Sequence, residues 1–223
     1  MRSWGSLSQK FGIAFGKIGI LSLLGLLASL PAISARADEY YAQPDFSTPT
    51  DQSHLVMIDL KAYQQTTTYT CGPASVVTLM GFYGLTGDEM TLAREMKSKQ
   101  VGGTNIINLA NWLKQHGFEA SWGQNGSLKL LRDNLTKGIP TLVGWMDWGG
   151  HYVLSVGYDD RGTEDAYDDI IVFADPADFY DGIRDGLTWF NAKRFDSMWM
   201  VQGDTAAQPW VKGLYVVAKP KKG

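Results

Sequence analysis

The chain contains a single cysteine, Cys71, and three histidines, His54, His116 and His151. A thiol attacks as its thiolate, and a helix N-terminus favours that form by placing partial positive charge beside the sulfur. Cys71 stands at such a place. A Gln/Thr loop from Gln64 to Thr70 runs into it, Gly72-Pro73 opens a helix, Ala74 to Tyr83 supplies apolar residues all along it, and Gly84 ends the run. Gly72 carries no side chain to bar a substrate backbone, and the Cys71 N–H can point at an oxyanion. The plain alternative is a cysteine that only fills space at a helix start.

A thiol needs a base. His54 lies at the edge of a polar arm, and His116 precedes Gly117 at a helix C-terminus, where a protonated ring would complement the dipole. His151 follows Gly149-Gly150 and opens the apolar strand HYVLSVGY, so the glycine pair leaves room for a substrate at Gly150. The acidic stretch Asp159 to Asp169 separates two strand-like runs, which predicts an antiparallel hairpin. If Tyr158 pairs with Asp168, His151 falls opposite Asp175, on one face and within about 5.5 Å. A slip of one residue would break that relation. Asp175 could otherwise serve only to cap a turn with Pro176. Gln65 precedes Cys71 by six residues, and its amide could donate to an oxyanion beside the Cys71 N–H; Gln64 is its competitor. Aromatic residues are expected around the cleft, Trp145, Trp148 and Tyr152 near His151, then Trp189, Phe190, Trp199 and Trp210, although core packing explains most of them. Trp148, between Asp147 and Gly149, is the candidate substrate contact.

The elements that must position these residues fall in a simple order. His54 to Leu60 reads as a strand. The Cys71 helix, apolar on most sides, reads as a buried central helix. A second helix begins around Thr86 to Glu89 and runs to Lys97, and a third is capped by Thr104 and stopped by Gly117. A strand at 118–122 and a helix at 127–137 lead into strands at 139–146, 151–158, 170–174 and 214–219, with a helix near 191–198. Helices cluster first and strands later, which is an α+β order.

The first 37 residues read as a targeting segment. Arg2, Lys10 and Lys17 precede an uncharged apolar run from Ile18 to Leu30, and Ala35-Arg36-Ala37 supplies a small-residue cleavage site before Asp38. The run is shorter than the about 20 residues of a membrane span, so no stable span is expected after cleavage; an uncleaved anchor is the rival reading. Export from a bacterial cell, to the periplasm or beyond, follows. Residues 38–53 form a polar arm and 54–223 the domain. The segment holds four of the 20 basic residues and no acid, leaving 16 against 23 acidic ones. That surplus argues against nucleic acid as a partner. In an exporting compartment an unpaired cysteine is either buried and inert or kept for use. The dispersed histidines offer no zinc spacing, and the acidic loop DDRGTEDAYDD lacks the regular ligand pattern of a calcium site, so neither metal nor cofactor is expected.

Gln65 with YTCGPAS (69–75), GGHYV (149–153) and ADP (174–176) together resemble the bacteriocin-processing, double-glycine cysteine peptidases of the papain-like clan. The resemblance spans roughly residues 55 to 218. It implies a papain-like fold with a helical N-terminal half and an antiparallel β-sheet C-terminal half, here as an exported stand-alone domain. It also implies Cys71 as nucleophile, His151 as base, Asp175 as orienting acid and Gln65 as oxyanion donor, cleaving a peptide or protein through a thioester. An idle binding or assembly protein, and a transferase using the same thioester, are the alternatives.

Overall fold

The computed structural model describes residues 54–146, 149–179, 182–205 and 208–222. The targeting segment, the polar arm and Trp148 lie outside them. Five helices are present among the described residues: α1 (Cys71–Phe82), α2 (Glu89–Glu95), α3 (Ile106–Gln115), α4 (Leu128–Leu135) and α5 (Ala192–Met198). The strands are β1 (Leu55–Met57), β2 (Phe118–Gly123), β3 (Thr141–Met146), β4 (Gly150–Asp159), β5 (Ile170–Ala174), β6 (Leu187–Asn191), β7 (Met200–Thr205), β8 (Gln208–Lys212) and β9 (Tyr215–Pro220). Seven of them make one antiparallel sheet in the order β2-β9-β3-β4-β5-β6, with β1 pairing the far end of β4. β7 and β8 form a separate hairpin. This is the expected α+β architecture, with β1 and β2 from the helical half completing the sheet.

The local signals explain most element ends. Pro73 sits in the first turn of α1, where its missing N–H costs nothing. Gly84 stops that helix at φ 72°, a left-handed conformation that favours glycine. Asp88 caps α2 by accepting from the Thr91 N–H at 2.8 Å, and Ser127 caps α4 by accepting from the Leu130 N–H at 3.1 Å. α3 corrects the expected cap. Asn105, not Thr104, accepts from the Ile107 N–H at 2.8 Å, because Thr104 is buried one residue earlier against Gly72.

α1 is the buried central helix, with Cys71 through Val76, Thr78 and Leu79 inaccessible. Two polar ties fix it to the sheet. The Ser75 hydroxyl donates to the Tyr152 carbonyl of β4 at 3.0 Å, and the Tyr83 hydroxyl donates to the Ala218 carbonyl of β9 at 3.2 Å. The first tie sets the start of α1 beside the start of β4.

The β4–β5 hairpin forms, but in a different register from the expected one. Leu154 pairs Ala174 and Ser155 pairs Phe173; beyond a bulge, Gly157 pairs Val172 and Tyr158 pairs Ile171. Tyr158 therefore does not face Asp168. Asp168 instead stays in the connecting loop, taking a hydrogen bond from the Thr163 hydroxyl at 2.8 Å. The bulge shifts the register again partway along the pair. His151 and Asp175 are consequently not directly opposed. Carrying the register on by one residue puts Asp175 opposite Val153, and His151 becomes its diagonal neighbour on the same face, within reach of a long side chain.

Core packing accounts for most of the aromatic set, as expected. Trp145, Trp199 and Phe190 are core residues. The Trp145 ring stands edge-on to Phe173 at 5.2 Å and to Phe190 at 5.6 Å, and Phe195 stacks on Trp199 at 5.1 Å. Burial of such large apolar side chains outweighs their use on a surface. Among the described residues of the set, Trp210, on β8, is the exposed one.

Candidate active site

Three elements bring three side chains together. Cys71 is the first residue of α1, His151 the second of β4, and Asp175 follows β5 directly. His151 Nε2 lies 2.7 Å from Asp175 Oδ1. The Cys71 thiol is a hydrogen-bond neighbour of the same ring, and with Nε2 committed to Asp175, Nδ1 is the nitrogen left for sulfur. All three residues are buried, Asp175 completely.

The surroundings hold this arrangement from several sides. Trp145 pairs His151 across β3 and β4, and its ring stands edge-on to the imidazole at 5.3 Å. Asp175 Oδ1 also accepts from the Ala177 N–H at 2.8 Å, and Oδ2 accepts from the Thr188 hydroxyl of β6 at 2.9 Å. Gly149, at φ 130°, takes a backbone conformation that side-chain-bearing residues rarely adopt, and Gly150 after it is exposed.

Charge follows from that geometry. Burial disfavours the imidazolium of His151, but hydrogen bonding and charge from Asp175 and Cys71 outweigh it and raise the ring to about 9. Burial likewise opposes the ionised Asp175, yet the His151 bond and charge, with the Ala177 and Thr188 donors, leave the carboxyl below its ordinary value. The two shifts run in opposite directions, each toward the charged form, and describe one buried ion pair.

The glutamines separate. Gln64 is exposed and donates its amide to the Asp175 carbonyl at 3.2 Å and the Ala62 carbonyl at 3.4 Å. Gln65 is half-buried and donates one N–H to the Thr67 carbonyl at 2.6 Å, leaving a second N–H on the same nitrogen. Its backbone N–H donates to the Pro176 carbonyl at 2.9 Å, which ties the loop before Cys71 to the segment after Asp175. Between them runs a cleft of about 430 Å³, lined by Gln65, Thr66, Thr68, Pro176, Phe179 and Arg184 among others. Gly72 has a packing reason to be glycine: a Cβ there would meet Thr104 at 3.1 Å and Leu109 at 3.4 Å.

Sequence reasoning missed two residues, Thr188 and Glu89. Thr188 lies on β6, whose Trp189 and Phe190 read in sequence as cleft aromatics rather than as a strand; Glu89 reads in sequence as an ordinary first-turn acid. No group of three or more His, Cys, Asp or Glu side chains able to hold a metal ion occurs among the described residues.

The Peptidase_C39 like family model matches residues 57–207, well over half of the chain. The chain belongs to this family. It is thereby a cysteine-type peptidase, a hydrolase. Among solved structures it is similar to the peptidase domain of Streptococcus ComA, a bi-functional ABC transporter involved in a quorum sensing pathway. That match has 21% identity and a TM-score of 0.52, and covers 73% of this chain and 99% of that one. It is also similar to a C39-like peptidase from Bacillus anthracis, with 14% identity and a TM-score of 0.54, covering 76% of this chain and 99% of the other. At these identities the likeness is one of fold. No protein of curated function matches the chain in sequence.

Proposed function

We propose that this peptidase cleaves an exported peptide or protein with Cys71 as nucleophile, His151 as general base and acid, and Asp175 as the orienting carboxylate. The observation that carries the reading is the 2.7 Å bond from His151 Nε2 to Asp175, which leaves Nδ1 to a thiol at the start of a buried helix. With His151 raised to about 9, the proton of Cys71 Sγ rests on His151 Nδ1 before substrate arrives, and the thiolate attacks the scissile carbonyl carbon. The carbonyl electrons move to oxygen, which the Cys71 N–H and the second N–H of Gln65 hold. The tetrahedral adduct collapses as His151 returns its proton to the leaving amine, giving a thioester. Water then attacks, His151 takes its proton, and the thiolate is released beside the imidazolium as the acid product departs.

Asp175 has two tasks in this scheme: it selects the tautomer and stabilises the imidazolium that forms. The cleft beside Gln65 supports a peptide-binding strip, with Phe179 and Arg184 at its wall. The apolar leader with its Ala35-Arg36-Ala37 site supports export. No described helix is long and apolar enough to cross a membrane.

The test compares exported peptides from cells carrying the wild type and Cys71→Ala. New N-termini present with the wild type and missing with the variant define the substrate. Identical N-terminal profiles would reject the proposal.

A further inference from the structure

Glu89 opens α2 and is only 2% exposed, a buried carboxyl outside the Cys71–His151–Asp175 group. It accepts from the Thr66 N–H at 3.0 and 3.1 Å on its two oxygens, from the Thr66 hydroxyl at 2.9 Å, and from the Thr70 hydroxyl. Thr67 and Thr70 hydroxyls lie 2.7 Å apart; because the Thr70 proton points to Glu89, Thr67 is the donor of that pair. One carboxylate therefore grips the loop at Thr66, just after Gln65, and at Thr70, just before Cys71. A buried charge is tolerated when its acceptor sites are filled in this way.

Thr70 also occupies the N-cap position of α1. A capping threonine ordinarily turns its oxygen to the N–H of the second or third helical residue. Here the third is Pro73, which has no N–H, the second is Gly72, and Thr70 makes no side-chain cap bond at all. Its hydroxyl is taken by Glu89 instead. The first-turn N–H groups are thereby left uncovered by Thr70, at the spot where negative charge on sulfur and on the carbonyl oxygen would develop.

We propose that Glu89 is a positioning residue for the peptidase reaction. It draws the Thr70 hydroxyl off the helix N-terminus and fixes the Gln65–Cys71 loop, so that uncapped N–H groups face the thiolate and the oxyanion. It touches neither substrate nor sulfur, and the inference rests on Cys71 being the nucleophile.

The experiment measures the rate at which iodoacetamide alkylates Cys71 in the full chain, under reducing conditions, alongside urea unfolding. Glu89→Gln keeps the size but must turn an N–H2 toward one of its present donors. Thr70→Val removes the hydroxyl and keeps the shape. Glu95→Gln is the control: it disturbs the same helix through the 2.6 Å bond from Trp112 Nε1 to Glu95. Each of Glu89→Gln and Thr70→Val is expected to slow alkylation about tenfold, the factor one charge-assisted hydrogen bond commands, and the double variant no further. Glu95→Gln is expected to alkylate at the wild-type rate. A folded Glu89→Gln protein that alkylates like the wild type overturns the inference, as does equal slowing in Glu95→Gln. A wild-type thiol no faster than free cysteine would overturn the nucleophile reading and this inference together; a fast wild type with an equally fast Glu89→Gln overturns this inference alone.

Discussion

At the scale of single residues, the site depends on one buried ion pair and the donors around it. Asp175→Asn keeps the shape but cannot stabilise an imidazolium, so peptidase turnover should fall by about 10³ to 10⁴. The same change leaves a buried histidine without its counter-charge and should cost about 3 kcal/mol or more in urea unfolding. Thr188→Val removes one donor from Asp175 Oδ2 and should cost about 1 to 2 kcal/mol, with a smaller loss of turnover. Stability should also depend on pH through these two groups. The folded value of His151 is raised, so its contribution is full below the ordinary value of 6.5 and is lost as pH rises through about 9. Asp175 is lowered, so its contribution is present above its ordinary 3.8 and is lost as pH falls through the folded value. Urea midpoints measured across pH should show both limbs in the wild type. Both should flatten in Asp175→Asn, and unchanged limbs there would mean that other groups set the profile.

At the scale of elements, the sequence carried the chemistry further than the geometry. The Cys71 helix is legible because a proline in its first turn and Gly84 at its end bracket an apolar run. The hairpin is legible for a similar reason, as two apolar runs flank an acidic loop. Its register is not: the acidic loop closes at Asp159 and Ile170, so Tyr158 pairs Ile171 rather than Asp168, and the bulge between Ser155 and Gly157 then moves the pairing by one residue. The pairing of His151 with Asp175 was therefore reached through a direct opposition that does not exist. β6 escaped notice because it runs straight into α5 without a turn signal between them, and with it went Thr188. Gly157, beside the bulge, lets β1 and β5 pack closely on β4: a Cβ there would meet Met57 Sδ at 2.5 Å and Val172 Cβ at 3.0 Å. Met57 can swing aside, whereas Val172 is held within β5. Gly157→Ala should cost about 1 to 3 kcal/mol by urea unfolding and lower turnover as the hairpin shifts. A variant as stable and active as the wild type would show that the strands need no such close packing at Gly157.

At the scale of the whole molecule, the sheet and α1 form a frame in which the Cys71 side of the site meets the His151–Asp175 side. The frame is bridged twice near the cleft: Ser75 to the Tyr152 carbonyl, and the Gln65 N–H to the Pro176 carbonyl. The acidic hairpin loop stands at the other end of β4, where Asp160 pairs with Arg132 and with His54 at 3.2 Å. Exposed pairs of this kind contribute little to stability. They do anchor the start of β1, which leads on into the Gln65 loop. The account's central claim is that Cys71 is a nucleophile activated by His151. Intact-mass measurement of the reduced protein after treatment with a peptidyl acyloxymethyl ketone tests it most directly. The prediction is a single adduct on Cys71 in the wild type, none in Cys71→Ala, and little in His151→Ala. A wild type that stays unmodified, or a Cys71→Ala protein that is modified equally, would contradict it.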